Sequence, residues 1–199
     1  EAYRSRFRKN PLSDLLAREA LRLLCGNIHI VCQSDRYKNT GPKGGDILQQ
    51  ARADMLLGAC YAGIAFANAP VAAVHALAYP LGSHFHVPHG LSNSLMLPHV
   101  LNFNAAEAAA FEQYAELAPI MLPALGDGRQ QSCGVAELIK ALALLPAQLG
   151  LPTQLAQVGV TQADIGTLAN EAMRQTRLLP NNPREVALVD AEYLYRAAF

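Results

Sequence analysis

The chain has 199 residues, 51% of them hydrophobic, with 16 Lys plus Arg against 16 Asp plus Glu and hence no net charge. That length and composition support one substantial core and exclude a disordered chain. The charge balance leaves no electrostatic footprint for nucleic acid or an anionic membrane surface, so neither is an expected partner.

The predicted elements, in chain order, are helical. Glu1-Ala2-Tyr3 runs into an ordered-looking helix without a capping residue and reads as a sequence cut within an element. The basic cluster Arg4, Arg6, Arg8 and Lys9 is expected to be a solvated helix end. Asn10-Pro11 starts a helix, since asparagine caps well and proline is tolerated at the first helical position. Leu12, Leu15, Leu16, Leu23 and Leu24 continue it as an apolar stripe. Residues 37–45, with glycines, a proline and lysines, read as a loop. Residues 46–67 form the longest predicted helix, with Ile47, Met55, Leu56, Cys60, Ile64 and Phe66 among its apolar positions. Its alanines and glycines suit close packing in the interior.

After Pro70 a short helix carries His75, and a histidine-dense turn follows. Residues 90–104 form another buried helix, with Pro98 near a kink or break. Further helices are predicted over 105–118, 135–145, 161–175 and 190–198, the third opening on a Thr161/Asp164 capping-box pattern. No stretch alternates with period two and β-branched enrichment. The fold class is therefore all-α, a multi-helix bundle.

Four cysteines stand apart without a CxxC pair, which suits reduced thiols rather than a disulfide frame or zinc site. No apolar run is long enough for a bilayer and no signal-peptide pattern opens the chain, so a soluble, cytoplasmic protein is expected. No GxGxxG turn follows a strand. Gly41-Pro42-Lys43-Gly44-Gly45 lacks both the strand and the spacing of a phosphate loop.

The run from His75 to His99 holds five of the six histidines. Three prolines and two glycines within it are expected to break its middle into turns. Neutral imidazole is the commonest protein ligand for borderline transition metals, so a metal site is expected here. His75 and His89, fourteen residues apart and framed by Pro80-Leu81-Gly82 and Pro88-His89-Gly90, resemble the signature of the iron-containing (group III) alcohol dehydrogenases. Glu1-Ala2-Tyr3, Ala17-x-Glu19-Ala20-Leu21, Pro98-His99-Val100, Gly150-Leu151-Pro152 and Asn182-Pro183-Arg184 fit the same family in the same order.

The resemblance implies a dehydroquinate synthase-like C-terminal helical domain, residues 1–199, that holds one divalent ion. The family's NAD(P)-binding α/β domain has no counterpart in these residues. Family ligands are an Asp-x-x-x-His pair, which would fall immediately before Glu1, and two histidines matched by His75 and His89. Iron(II) or zinc would suit such ligands. The family's activity implies a small alcohol or aldehyde as substrate, with the ion acting as Lewis acid during hydride exchange with NAD(P). A homo-oligomer, a dimer, is expected.

Tyr79 stands where many members carry a histidine thought to assist proton transfer. A phenol with an ordinary pKa near 10 is a poorer base near neutrality, so Tyr79 either relays a proton or lines the pocket. Phe66 and Leu178 match positions beside the substrate, and Phe66 could equally be core. His84 and His86 suit exposure or cleft lining better than metal binding, and His99 and His29 suit structural roles. With half the ligand set outside these residues, the chain by itself is expected to be inactive. The alternatives are a helical scaffold or assembly domain with a vestigial metal site, or a relative such as a glycerol dehydrogenase, maleylacetate reductase or dehydroquinate synthase.

Overall fold

A computed structural model describes residues 1–38, 42–125 and 134–199. Among them the helices are α1 (Pro11–Cys32), α2 (Asp35–Lys38), α3 (Pro42–Asn68), α4 (Ala73–Phe85), α5 (His89–Asn104), α6 (Ala108–Leu125), α7 (Gly134–Gln148), α8 (Ile165–Met173) and α9 (Leu188–Ala197), with short 3-10 turns between. No strand occurs among the described residues, as the periodicity predicted. No single helix there is long and apolar enough to cross a membrane.

Two larger apolar cores and a smaller cluster of Leu101, Ala110, Tyr114 and Val135 organise the described residues. The largest lies between α4, α5, α8 and α9, where Leu77, Leu81, Met96, Val100, Leu168, Leu194 and Tyr195 are sealed from solvent. The second joins α1, α3, α6 and α7 through Ala17, Cys25, Ala65, Leu117, Met121 and Leu138. Burial pushes the Cys25 thiol up to about 11, while Cys32 and Cys60 are exposed and free. Cys133 lies outside the described residues.

Local sequence sets several boundaries as expected. Asn10 accepts from the Ser13 N–H at 2.9 Å, and Ser13 Oγ returns the bond to the Asn10 N–H. Thr161 donates through N–H and Oγ1 to Asp164 at 2.8 and 2.6 Å. That box opens a 3-10 turn (Gln162–Asp164) that leads into α8.

Other expectations need correction. Of the stretch expected as a loop, residues 37–38 end α2 and 42–45 begin α3, while residues 39–41 lie outside the described ones. The opening helix is a single 3-10 turn, Ala2–Arg4. The basic cluster is not uniformly solvated. Arg4 is 3% exposed, with its guanidinium 4.3 Å from the Tyr114 ring centre, and Lys9 donates to the Tyr3 carbonyl at 3.0 Å. Tyr3 in turn donates to Glu116. These contacts dock residues 1–9 against α1 and α6.

Helix α3 is not an interior helix. Only the face of Leu48, Ala51, Gly58 and Ala65 is buried, at multiples of a helical turn, and it packs along α1. Leu56, Ile64 and Phe66 are exposed. At Gly58 the two helices approach so closely that an added Cβ would meet Leu24 Cγ at 3.0 Å. The stripe on α1 splits likewise: Leu23 is buried, whereas Leu12 and Leu15 are exposed.

Candidate functional site

The histidine-rich run is helical over most of its length. Pro80 and Gly82 lie inside α4, and Gly90 and Pro98 inside α5. Only residues 86–88 leave the helical path. Pro80 costs one backbone bond, but burial of Leu77 and Leu81 on both sides of it holds the helix together. The reversal is made at His86, in the left-handed region at φ 54°. Its N–H donates to the Gly82 carbonyl at 3.1 Å, and the Val87 N–H donates to Leu81 at 3.4 Å. Pro88 then starts α5.

This reversal folds the first turn of α5 back on α4. The His75 and His89 rings lie with centroids 5.3 Å apart. The Tyr79 ring stacks on His89 at 5.8 Å and meets His75 edge-on at 6.4 Å. Three of the expected site residues are thus one cluster, in which Tyr79 and His89 are exposed and His75 is half-buried. Two imidazoles bound tetrahedrally to one ion through bonds of about 2.1 Å would have centroids roughly 5 Å apart. The pair therefore fits a shared ion. Four-coordinate sites need two more donors, and among the described residues no group of three or more His, Cys, Asp and Glu could hold a metal. The donor set here fits half a cage.

Tyr79 also lines a cleft of about 590 Å³ with Arg8, Pro70, Gln175, Arg177, Leu178 and Asn181. Leu178 thus shares the cleft with Tyr79. Phe66 is exposed on α3 and is not among the residues lining that cleft. His84 and His86 are exposed on the reversal. His99 borders a separate cavity of about 220 Å³ with Ser94 and Pro146, and burial lowers its pKa.

Sequence reasoning missed two neighbours of the histidines. Glu1 pairs with His75 Nδ1 and, through its other oxygen, accepts from the Val74 N–H at 2.7 Å. Burial by itself would raise this carboxyl, and the hydrogen bonds from His75 and the Val74 N–H act against that. Asn93, one turn after His89, places its amide nitrogen 3.0 Å from His89 Nε2 and 3.1 Å from the His89 carbonyl. The Asn93 contact was within reach of i, i+4 reasoning. The Glu1 contact bridges 74 positions and leaves no local signal.

Known proteins resemble the chain over its whole length. The model of the Fe-containing alcohol dehydrogenase family, C-terminal, matches residues 1–199. Long-chain-alcohol dehydrogenase 1 of Geobacillus thermodenitrificans is 35% identical over 203 residues, covering 100% of this chain and 47% of that protein. Lactaldehyde reductase of Escherichia coli is 32% identical, covering 94% of this chain and 45% of its own. The crystal structure of a 1,3-propanediol oxidoreductase superposes with TM-score 0.83 at 31% identity, over 100% of this chain and 48% of that one. The chain spans about half the length of the curated relatives it matches.

Proposed function

The chain belongs to the iron-containing alcohol dehydrogenase family, through that family's C-terminal part, and from that premise we propose that residues 1–199 are the metal-binding half of an NAD(P)-dependent alcohol dehydrogenase or aldehyde reductase. The observation that carries the reading is the 5.3 Å approach of His75 to His89 beneath Tyr79. In this proposal His75 and His89 hold a divalent ion, iron(II) or zinc, with two further donors from outside the described cluster. When bound, such an ion supplies Lewis acidity to the oxygen of a small alcohol or aldehyde.

The chain's own residues do the positioning. The α4–α5 reversal brings both imidazoles together beside Tyr79, which lines the cleft. Tyr79 stacks on His89, with its phenol placed to hydrogen-bond a substrate oxygen. Leu178 supplies an apolar wall that favours a hydrophobic substituent. Phe66 is not carried into this proposal, because it is exposed on α3 and is not among the residues that line the cleft. The dinucleotide is bound by another part of the polypeptide, since proximity of nicotinamide to substrate carries a large share of a dehydrogenase's acceleration.

The test is NAD(P)-dependent alcohol oxidation by residues 1–199 alone and by the longer polypeptide containing them, each supplied with iron(II) or zinc. Turnover is expected only in the longer protein. His75→Ala or His89→Ala there should abolish it and lower the metal content. Full turnover by residues 1–199 alone would overturn the division of labour. Undiminished turnover in both alanine variants would overturn the ligand assignment and leave the scaffold reading.

A further inference from the structure

The two histidines are held by different neighbours, and those neighbours decide which ring nitrogen is offered to an ion. The Glu1 side chain is 8% exposed and both its oxygens contact the start of α4. One accepts from the Val74 N–H at 2.7 Å, the other from His75 Nδ1. An ionised carboxylate only accepts. Nδ1 of His75 therefore carries a hydrogen, and the lone pair of the neutral ring sits on Nε2.

At His89 the argument runs through Asn93. The same amide nitrogen lies 3.1 Å from the His89 carbonyl and 3.0 Å from His89 Nε2. A carbonyl only accepts, so the group facing it is the NH2, and its second hydrogen points at Nε2. The Nε2 of neutral His89 is therefore an acceptor as well. His75 thus has its Nε2 lone pair to offer, whereas the Nε2 lone pair of His89 accepts from Asn93, which must turn away before that nitrogen can meet an ion.

We infer that Glu1 is a positioning residue that selects the Nδ1–H tautomer of His75 and so makes Nε2 its metal-binding nitrogen. This rests on the reading of His75 as a ligand. A carboxylate behind a ligating imidazole fixes ring orientation and raises its basicity, and losing such a partner typically costs about 10- to 100-fold in metal affinity. Glu1 also caps α4 in trans, because its carboxylate takes a first-turn N–H that the Ala72 side chain does not.

Glu1→Gln separates the two roles. Glutamine has one acceptor oxygen and one NH2. With the oxygen kept on the Val74 N–H, the NH2 faces His75 Nδ1 and turns it into an acceptor, which moves the ring proton to Nε2. The experiment is long-range proton–nitrogen NMR of a 15N-labelled, metal-free polypeptide containing residues 1–199. The pH is set about two units above the ordinary imidazole pKa.

Wild type should show Nδ1–H at His75 and at His89. In Glu1→Gln the proton of His75 alone should move, and zinc(II) affinity should fall about 10- to 100-fold. His75→Ala is the control for the ligand reading. If it leaves zinc affinity unchanged, that reading fails. If it abolishes binding while Glu1→Gln neither moves the proton nor weakens zinc, Glu1 has no positioning role. An Nε2–H tautomer at His75 in wild type overturns the inference without any variant.

Discussion

Replacing Asn182 by alanine should cost about 4–6 kcal/mol of stability, although the residue lies outside the histidine cluster. Asn182 and Asn104 are both sealed from solvent and bond reciprocally. Asn104 Nδ2 donates to Asn182 Oδ1 at 3.1 Å, and Asn182 Nδ2 donates to Asn104 Oδ1 at 2.7 Å. Asn182 Nδ2 donates also to the Arg184 carbonyl at 2.6 Å. Each bond contributes about 1 kcal/mol net, and the amide of Asn104, left buried without its partner, adds a desolvation penalty of about 1–3 kcal/mol. Asn104→Ala removes the two shared bonds and leaves the buried Asn182 Oδ1 without its donor, while Asn182 Nδ2 keeps the Arg184 carbonyl. The double variant loses the shared bonds once and strands neither amide, so its cost should lie close to that of either single variant. The expected coupling is therefore at least about 3 kcal/mol, the top of the range for residues in contact. Urea unfolding of the four proteins, followed by far-UV circular dichroism, measures it. Additive costs, with coupling below about 0.5 kcal/mol, would refute the argument that the pair satisfies itself.

Other consequences are as direct. His86 occupies a left-handed conformation at φ 54°, which glycine adopts without steric cost, so His86→Gly should raise stability by up to about 1 kcal/mol; a lower thermal midpoint would contradict that. Gly58→Ala should destabilise by about 1–2 kcal/mol despite alanine's better helix propensity, because the new methyl meets Leu24 Cγ at 3.0 Å; a stabilised variant in thermal unfolding would show that α1 and α3 separate freely. The bonds from Thr161 hold Asp164 below the usual carboxylate range. Its folded pKa is thus depressed: the stabilisation is present above the ordinary carboxylate pKa and is lost as pH falls through the folded value. Stability measured against pH should fall less steeply across that acid window in Asp164→Asn than in wild type, and an unchanged slope would refute the assignment.

The helical class, the Asn10 and Thr161 caps and the pairing of His75 with His89 were legible in the chain, because each depends on periodicity, capping chemistry or a short framed motif. The breaks at Pro80, Gly82, Gly90 and Pro98 were misread for the same reason: local propensity disfavours a helix there, while buried neighbours such as Leu77, Leu81 and Met96 outweigh the loss of single backbone bonds. The apolar residues of α3 point all round the helix, and which stripe would be covered depended on where α1 lies. Asn182 and Arg184 belonged to a recognisable motif, but their work, bonding to Asn104 and to the Phe103 carbonyl at 2.8 Å, is structural. By itself the sequence determined the residue types able to bind an ion and the elements that carry them. Tertiary structure alone decided that Glu1 reaches His75 across 74 positions, that Arg4 is buried against Tyr114, and that Leu178 rather than Phe66 shares the cleft with Tyr79. Such contacts arise when the packed cores bring distant segments together, and no spacing along the chain encodes them.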